Sequence, residues 1–134
     1  MSKESNDFEH DITCILGKHG FWASEFPKAH DGSQPADLIA LNRKGSHLID
    51  AKLCANDRFV LSRMEENQIH SMNWFEKRCG GKGWFAIKFV KADKIYIVPD
   101  QFLLRLEEEG CKSLSKIPDN FELERWLDDN IDKR

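Results

Sequence analysis

The residues of this chain that could carry out chemistry lie in one stretch, 35–54. Two apolar runs flank the polar segment 42–46, whose Asn, Ser and Gly are typical of a turn, so the stretch is predicted to be a hairpin. The first strand carries Asp37; the second carries Asp50 and Lys52, whose side chains leave the same face because they are two residues apart. Two carboxylates and an ammonium group on adjacent strands can hold a divalent metal ion and position a water molecule.

The same charged residues also have a simpler structural interpretation. Asp50 and Lys52 could form an ion pair on the surface of a hairpin, and such pairs contribute little to stability. That interpretation gives no reason for Asp37 to interrupt the apolar first strand, where an unpaired charge is costly. The sequence therefore favours a functional site at these three residues, and the other helices and strands of the chain must hold it in place.

The composition is that of an ordinary folded domain. The chain has 134 residues, of which 40% are hydrophobic and 32% charged, so one domain with a substantial core is expected. No apolar run approaches the roughly 20 residues that span a bilayer, and the first residues lack the apolar core of a signal peptide. The four cysteines form no CxxC or Cys/His pairing, so neither zinc nor disulfides are indicated. We expect a reduced, cytoplasmic protein without membrane association.

The net charge of −3 is unevenly distributed along the chain. Residues 1–91 contain 13 Lys and Arg against 12 Asp and Glu, whereas residues 92–134 contain 7 against 11. A bound metal ion would neutralise some of the acids in the first part. The overall charge therefore argues only weakly against a nucleic-acid partner.

The first predicted helix, 6–19, carries an acid beside its apolar stripe. Glu9 could complete a capping box with Asn6, or it could lean over the sheet toward the hairpin acids. A short apolar strand, 20–26, follows this helix, and the polar loop 27–35 comes next. The basic residues of that loop could contact a phosphate, although its composition favours a solvated loop without a specific role.

The second predicted helix begins near Ser62, where Glu65 would complete a capping box. One face of this helix is apolar, with residues at helical spacing: Leu61, Met64, Met72, Phe75 and Cys79. Gln68 interrupts that face, and a buried amide needs hydrogen-bond partners. Gln68 could bond to a strand carbonyl or lie at the edge of the stripe, or it could point at a metal ion or water held by the hairpin.

The remaining elements complete a mixed α/β pattern. The glycine-rich segment 80–83 ends the second helix, and strands 84–90 and 94–98 follow. A short helix near 102–106 and a last helix over 122–131 end the chain. The predicted order is α-β-β-β-α-β-β-α-α.

These features together resemble the PD-(D/E)XK nuclease superfamily. Asp37 is followed, after twelve intervening residues, by the Asp-x-Lys motif at 50–52. With Glu9 on the first helix and Gln68 on the second, the set resembles Holliday junction resolvases of the archaeal type and of the bacterial RecU type, over about residues 8–90. The second acid is Asp where those resolvases usually have Glu, and the chain is less basic than either group.

The resemblance implies a restriction-endonuclease-like α/β fold, a mixed central sheet flanked by helices in the order α-β-β-β-α-β. The core would occupy about residues 6–98 of a single nuclease domain, 1–134, with a helical C-terminal extension over 99–134.

The resemblance also implies a metal site. Mg²⁺, for which Mn²⁺ can substitute, would be bound by Asp37, Asp50 and the carbonyl oxygen of Ala51, because oxygen ligands suit this ion. Glu9 would bind through a water molecule or a second ion.

The remaining site residues would act on the water and on the DNA. Lys52 would orient the attacking water and stabilise developing charge, and Gln68 would hold the water or the scissile phosphate. Phosphate contacts are expected from four basic residues: Lys28, His30, Arg58 and Arg63.

Three functions fit this site. The first is a resolvase that cuts four-way DNA junctions as a homodimer, with two sites making paired nicks. The second is another nuclease of the same fold, of restriction or repair type, acting on duplex or flap DNA. The third is a relative that binds DNA or a protein without cutting it.

Overall fold

The chain folds into a mixed β-sheet with helices on both faces. The computed structural model describes residues 3–133, and those residues form four helices and seven strands. Two 3₁₀ turns, Leu61–Arg63 and Asp119–Phe121, complete the described elements. In chain order the helices and strands are α1 Lys3–Lys18, β1 Trp22–Glu25, β2 Leu38–Asn42, β3 Gly45–Cys54, β4 Phe59–Val60, α2 Glu66–Cys79, β5 Lys82–Phe89, β6 Lys94–Pro99, α3 Asp100–Glu108, β7 Ser113–Leu114 and α4 Leu123–Asn130.

The main sheet has the strand order β1-β2-β3-β5-β6. Neighbouring strands are antiparallel except β3 and β5, which are parallel. A parallel pair needs a crossover connection, and α2 provides it. The short strands β4 and β7 pair with each other outside the main sheet and were not predicted.

Alternating side chains of the sheet divide the core into two layers. On β3, Leu48 points to the layer that α2 and α3 cover, whereas Ile49 points to the layer that α1 and α4 cover. Asp50 and Lys52 therefore lie on the α2 side, because side chains two residues apart share a face. None of the helices within residues 3–133 has the length and apolar character needed to cross a membrane.

The capping box that was one alternative for Glu9 is not formed, and the one predicted at Ser62 is wrong. Helix α1 is already helical at Lys3, so Asn6 lies inside it and cannot be its N-cap. Helix α2 has Glu65 and not Ser62 as its N-cap, because the preceding residues form a 3₁₀ turn. Glu65 and Gln68 form the capping box: the side chain of each accepts the backbone N–H of the other.

The close packing of α2 on β5 depends on Gly83. A Cβ atom at this position would lie 2.5 Å from Cβ of the buried Met72. We expect Gly83→Ala to push α2 off the sheet and to lower the free energy of unfolding by about 1–3 kcal/mol, the usual cost of overpacking.

Urea denaturation of a matched pair measures this effect. Gly17 lies in α1, where an added Cβ would meet nothing within 4 Å, so Gly17→Ala should stabilise the protein by up to about 1 kcal/mol through helix propensity. Equal effects of the two substitutions would contradict the packing described for Gly83.

Candidate active site

Most of the predicted site residues border one cleft, with a volume of about 560 Å³. It is bounded by α1, by the loop 26–37 that joins β1 to β2, by β3 and by the start of α2. Asp50 lies beneath the cleft and is 1% exposed. Of the predicted site and DNA-contact residues, those that line the cleft are Glu9, Lys28, His30, Asp37, Ala51, Lys52, Arg63 and Gln68.

Asp37 is fixed to β3 immediately before β2 begins. Its Oδ2 accepts the backbone N–H of Ala51 at 2.8 Å, and its Oδ1 accepts a hydrogen bond from Lys28 Nζ at 2.8 Å. Burial raises the pKa of this carboxyl, but these two bonds outweigh it and the pKa of Asp37 is lowered. Asp37 is therefore ionised at neutral pH.

Glu9 reaches the same point from α1. It is 2% exposed, and its Oε2 lies 2.7 Å from Lys28 Nζ, so Lys28 bridges Glu9 and Asp37. Burial and the charge of Asp37 raise the pKa of Glu9 to about 7, against the opposing effect of Lys28. Glu9 therefore lies toward the hairpin acids, as the second interpretation of this residue predicted.

Asp50 is enclosed by two side chains of the predicted site. Its Oδ1 accepts a hydrogen bond from Gln68 Nε2 at 2.9 Å, and its Oδ2 lies 3.0 Å from Lys52 Nζ. Apart from that ion pair, Oδ2 has no hydrogen-bond partner among the described residues. Burial, together with the charge of Asp37, raises the pKa of Asp50 to about 8.

Gln68 interrupts the apolar face of α2 because its amide has two structural partners. Its Oε1 accepts the backbone N–H of Glu65 at 3.2 Å, which leaves Nε2 to donate to Asp50. The capping box thus orients the amide toward the carboxylate. A leucine here would remove a hydrogen bond from both the Glu65 N–H and Asp50 Oδ1, so the amide cannot be replaced by an apolar side chain without cost.

The predicted DNA contacts are not all in one place. His30 and Arg63 are exposed at the cleft, although Arg63 Nη1 also donates to the carbonyl of Leu53 at 3.0 Å. Arg58 lies outside the cleft lining, where its Nε donates to Ser113 Oγ at 2.9 Å. The role of Gln34 was missed: its side chain accepts the N–H of Ala29 and so shapes the loop that carries Lys28.

The residues present fit a divalent cation in chemistry, although the acids are at present paired with lysines. Within residues 3–133, no three acidic, imidazole or thiol groups converge closely enough to hold a metal ion. Glu9 and Asp37 instead share an ammonium group, which marks a position where a cation is favourable. The carbonyl and the N–H of one strand residue point to the same edge of the strand, so the Ala51 carbonyl points toward Asp37. The pairing of β2 with β3 ends at Leu38 and Ile49, so no β2 residue pairs with Ala51.

The raised pKa of Asp50 predicts how stability depends on pH. Its folded pKa of about 8 exceeds the ordinary value of 3.8, so the metal-free folded state binds the proton more tightly than the unfolded state. The contribution of Asp50 to stability is therefore fully present below its ordinary pKa and is lost as pH rises toward 8. Between pH 6.5 and 8 the loss should be about 2 kcal/mol. In Asp50→Asn this part of the loss should disappear, as measured by urea denaturation in EDTA; identical pH profiles would contradict it.

The fold and the site together define a PD-(D/E)XK-type nuclease. The model of the archaeal Holliday junction resolvase (Hjc) family matches residues 1–133. The chain therefore belongs to the archaeal Holliday junction resolvase family, and the predicted resemblance is confirmed. It is a Holliday junction resolvase, a nuclease that hydrolyses DNA and binds branched DNA.

The fold is also similar to that of a solved structure, the 1.6 Å structure of Hjc from Archaeoglobus fulgidus, a Holliday junction resolvase from an archaeal hyperthermophile. The two chains are 22% identical, with a TM-score of 0.58, over 71% of this chain and 75% of the other. This confirms the predicted restriction-endonuclease-like fold. None of the curated proteins compared with the chain matches it. The family implies a divalent metal ion.

Proposed function

We propose that this resolvase is a Mg²⁺-dependent homodimer, with Mn²⁺ able to replace Mg²⁺. The observation that carries the proposal is the attachment of both motif acids to one short segment of β3. Asp37 bonds to the N–H of Ala51, and Asp50 is the preceding residue. Their carboxylates and the Ala51 carbonyl form a compact set of oxygen donors, which Mg²⁺ prefers. Glu9 adds a further oxygen donor at the α1 side, through a water molecule or a second ion.

The remaining groups prepare the hydrolysis. When bound, the ion would supply a Lewis acid that lowers the pKa of water and stabilises charge on the phosphate. Lys52 is held beside Asp50 and orients the attacking water, while its charge stabilises the transition state. Gln68, whose amide is fixed by the N-cap of α2, keeps Asp50 in position and borders the space for the phosphate.

DNA binding depends on the rim of the cleft. Lys28, His30 and Arg63 border it with donors that suit phosphate oxygens. Each phosphate contact releases a counterion, so DNA affinity should fall steeply with salt.

The proposed dimer uses an apolar groove beside α2. Helix α2 packs on β5 and β3 and leaves the β1–β2 part of that sheet face uncovered. The resulting groove has a volume of about 440 Å³, and Trp74 stands at it with 52% of its surface exposed and Arg78 stacked on its ring. Trp22, 63% exposed, shares the same sheet face, because it pairs with Leu41.

A second copy of this chain is the partner that fits the reaction. A two-fold axis relates the strands of a four-way junction in pairs, and a two-fold dimer places its two identical sites on the two strands of such a pair. In such a dimer each Trp74 would enter the partner's groove, since a two-fold interface is self-complementary. Exposed aromatic residues of this kind are typical interface anchors.

Sedimentation of matched variants tests the dimer. The wild type and Val90→Glu, which adds the same charge at an exposed apolar residue outside the groove, should both be dimers at micromolar concentration. Trp74→Glu should be a monomer that keeps the wild-type circular dichroism spectrum, because Trp74 is largely exposed within one chain and a charge opposes burial at the interface. A monomeric wild type, or a dimeric Trp74→Glu variant, would refute this interface.

A further inference from the structure

Lys28 has an unusual position for a residue of an exposed loop. Its Nζ lies 2.7 Å from Glu9 Oε2 and 2.8 Å from Asp37 Oδ1, and both acids are buried. Yet the Lys28 side chain itself remains 39% exposed at the cleft. Its ammonium group is thus bound by two carboxylates, while the side chain that carries it borders the open cleft.

The hydrogen bonds of Asp37 show that Lys28 occupies a position that a metal ion would use. Asp37 Oδ2 already accepts the N–H of Ala51, so an ion in the cleft would disturb this bond least if it bound to Oδ1. That oxygen is the one that Lys28 holds. A divalent ion that used this oxygen would be a direct neighbour of the ammonium group, and the two positive charges would repel each other. Binding of the metal ion and of the Lys28 ammonium group to this oxygen at the same time is therefore unfavourable.

We propose that Lys28 is an exchangeable cation of the active site. It holds Glu9 and Asp37 together in the metal-free protein, gives up this place when a divalent ion binds, and then turns outward to a DNA phosphate at the cleft. This inference rests on the proposed metal site.

The exchange couples the metal ion to the DNA. A phosphate that draws Lys28 outward vacates the position between the carboxylates, and an ion that takes that position frees Lys28 for the phosphate. Each ligand should therefore increase the affinity of the other by the same factor.

Calorimetry with Ca²⁺ alone, in the absence of DNA, is the first test. Lys28→Met removes the competing cation and keeps much of the side-chain volume. Lys18→Met makes the same change in charge at the end of α1, about 13 Å along the helix from Glu9. We expect Lys28→Met to bind Ca²⁺ at least tenfold more tightly than the wild type, and Lys18→Met to bind it as the wild type does.

The outcomes separate the inference from the proposed metal site. If the wild type binds Ca²⁺ and Lys28→Met binds it equally or more weakly, the exchange is overturned and the metal site stands. If neither protein binds Ca²⁺, the metal site is overturned and the exchange with it.

The salt dependence of junction binding tests the outward movement. In EDTA, the wild type and Lys28→Met should show equal slopes of log affinity against log salt, because Lys28 is held by the carboxylates. In Ca²⁺, the wild-type slope should be steeper than the slope of Lys28→Met by about 0.9, the value of one phosphate contact. Equal slopes under both conditions would overturn the exchange.

Discussion

Replacement of Lys52 by alanine should lower the rate of junction cleavage at least a thousandfold, while DNA affinity stays within about threefold. Nζ of Lys52 lies 3.0 Å from Asp50 Oδ2, in a buried position beside the proposed metal ligands. From there it can act on the water and on the charge that develops in the transition state, not on the bound DNA. A thousandfold loss corresponds to about 4 kcal/mol of barrier, as expected when a group acts only in the transition state.

Single-turnover cleavage and gel-shift affinity measure the two quantities separately. Lys52→Met tests the same loss with the buried volume largely kept, so that a packing defect cannot account for it. Lys91→Ala, at an exposed position after β5, is the control and should cleave as the wild type does. Cleavage by Lys52→Met at a near wild-type rate would reduce the Asp50–Lys52 contact to a structural ion pair.

Asp37→Asn should lower the affinity for Ca²⁺ or Mn²⁺ at least a hundredfold, about 2.8 kcal/mol, without unfolding the protein. The asparagine carbonyl can still accept the N–H of Ala51, which keeps the link between β2 and β3. Its amide would face Lys28 and the cleft without the negative charge that a cation needs. The expected effect is therefore on the metal ion and not on the fold.

Calorimetry and thermal unfolding of two variants distinguish these effects. Asp31→Asn removes an exposed acid of the same loop, which bonds to Ser33, and should leave metal affinity unchanged. Wild-type metal affinity in Asp37→Asn would remove Asp37 from the proposed ligands.

The sequence was sufficient for the parts of the site that depend on strand geometry. Alternation along β3 predicts that Asp50 and Lys52 share a face, and the hairpin register brings Asp37 beside Ala51. The interruption of the apolar stripe of α2 by Gln68 predicts a polar group on that face, and the spacing left open whether its amide bonds to a strand, lies at the edge of the stripe or points into the site. These patterns are local, so spacing alone determines them.

The parts that the sequence did not predict depend on contacts between distant segments. Lys28 was expected at a phosphate or in solvent, because nothing in the spacing of a loop indicates that it folds back between Glu9 and Asp37. The cap of α2 was misplaced because Glu is an uncommon N-cap and only its reciprocal bonds with Gln68 identify it. The pairing of β4 with β7 joins two-residue strands far apart in the chain, too short for a periodic pattern.

Cleavage of a labelled four-way junction, in the presence of a large excess of unlabelled linear duplex, tests the central claim most directly. With Mg²⁺ the wild type should cut the junction with paired nicks in opposite strands, and EDTA should abolish the reaction. The linear duplex, labelled in a parallel reaction, should remain intact at the same enzyme concentration. Cleavage that continues in EDTA, or equal cutting of junction and duplex, would contradict a metal-dependent junction resolvase.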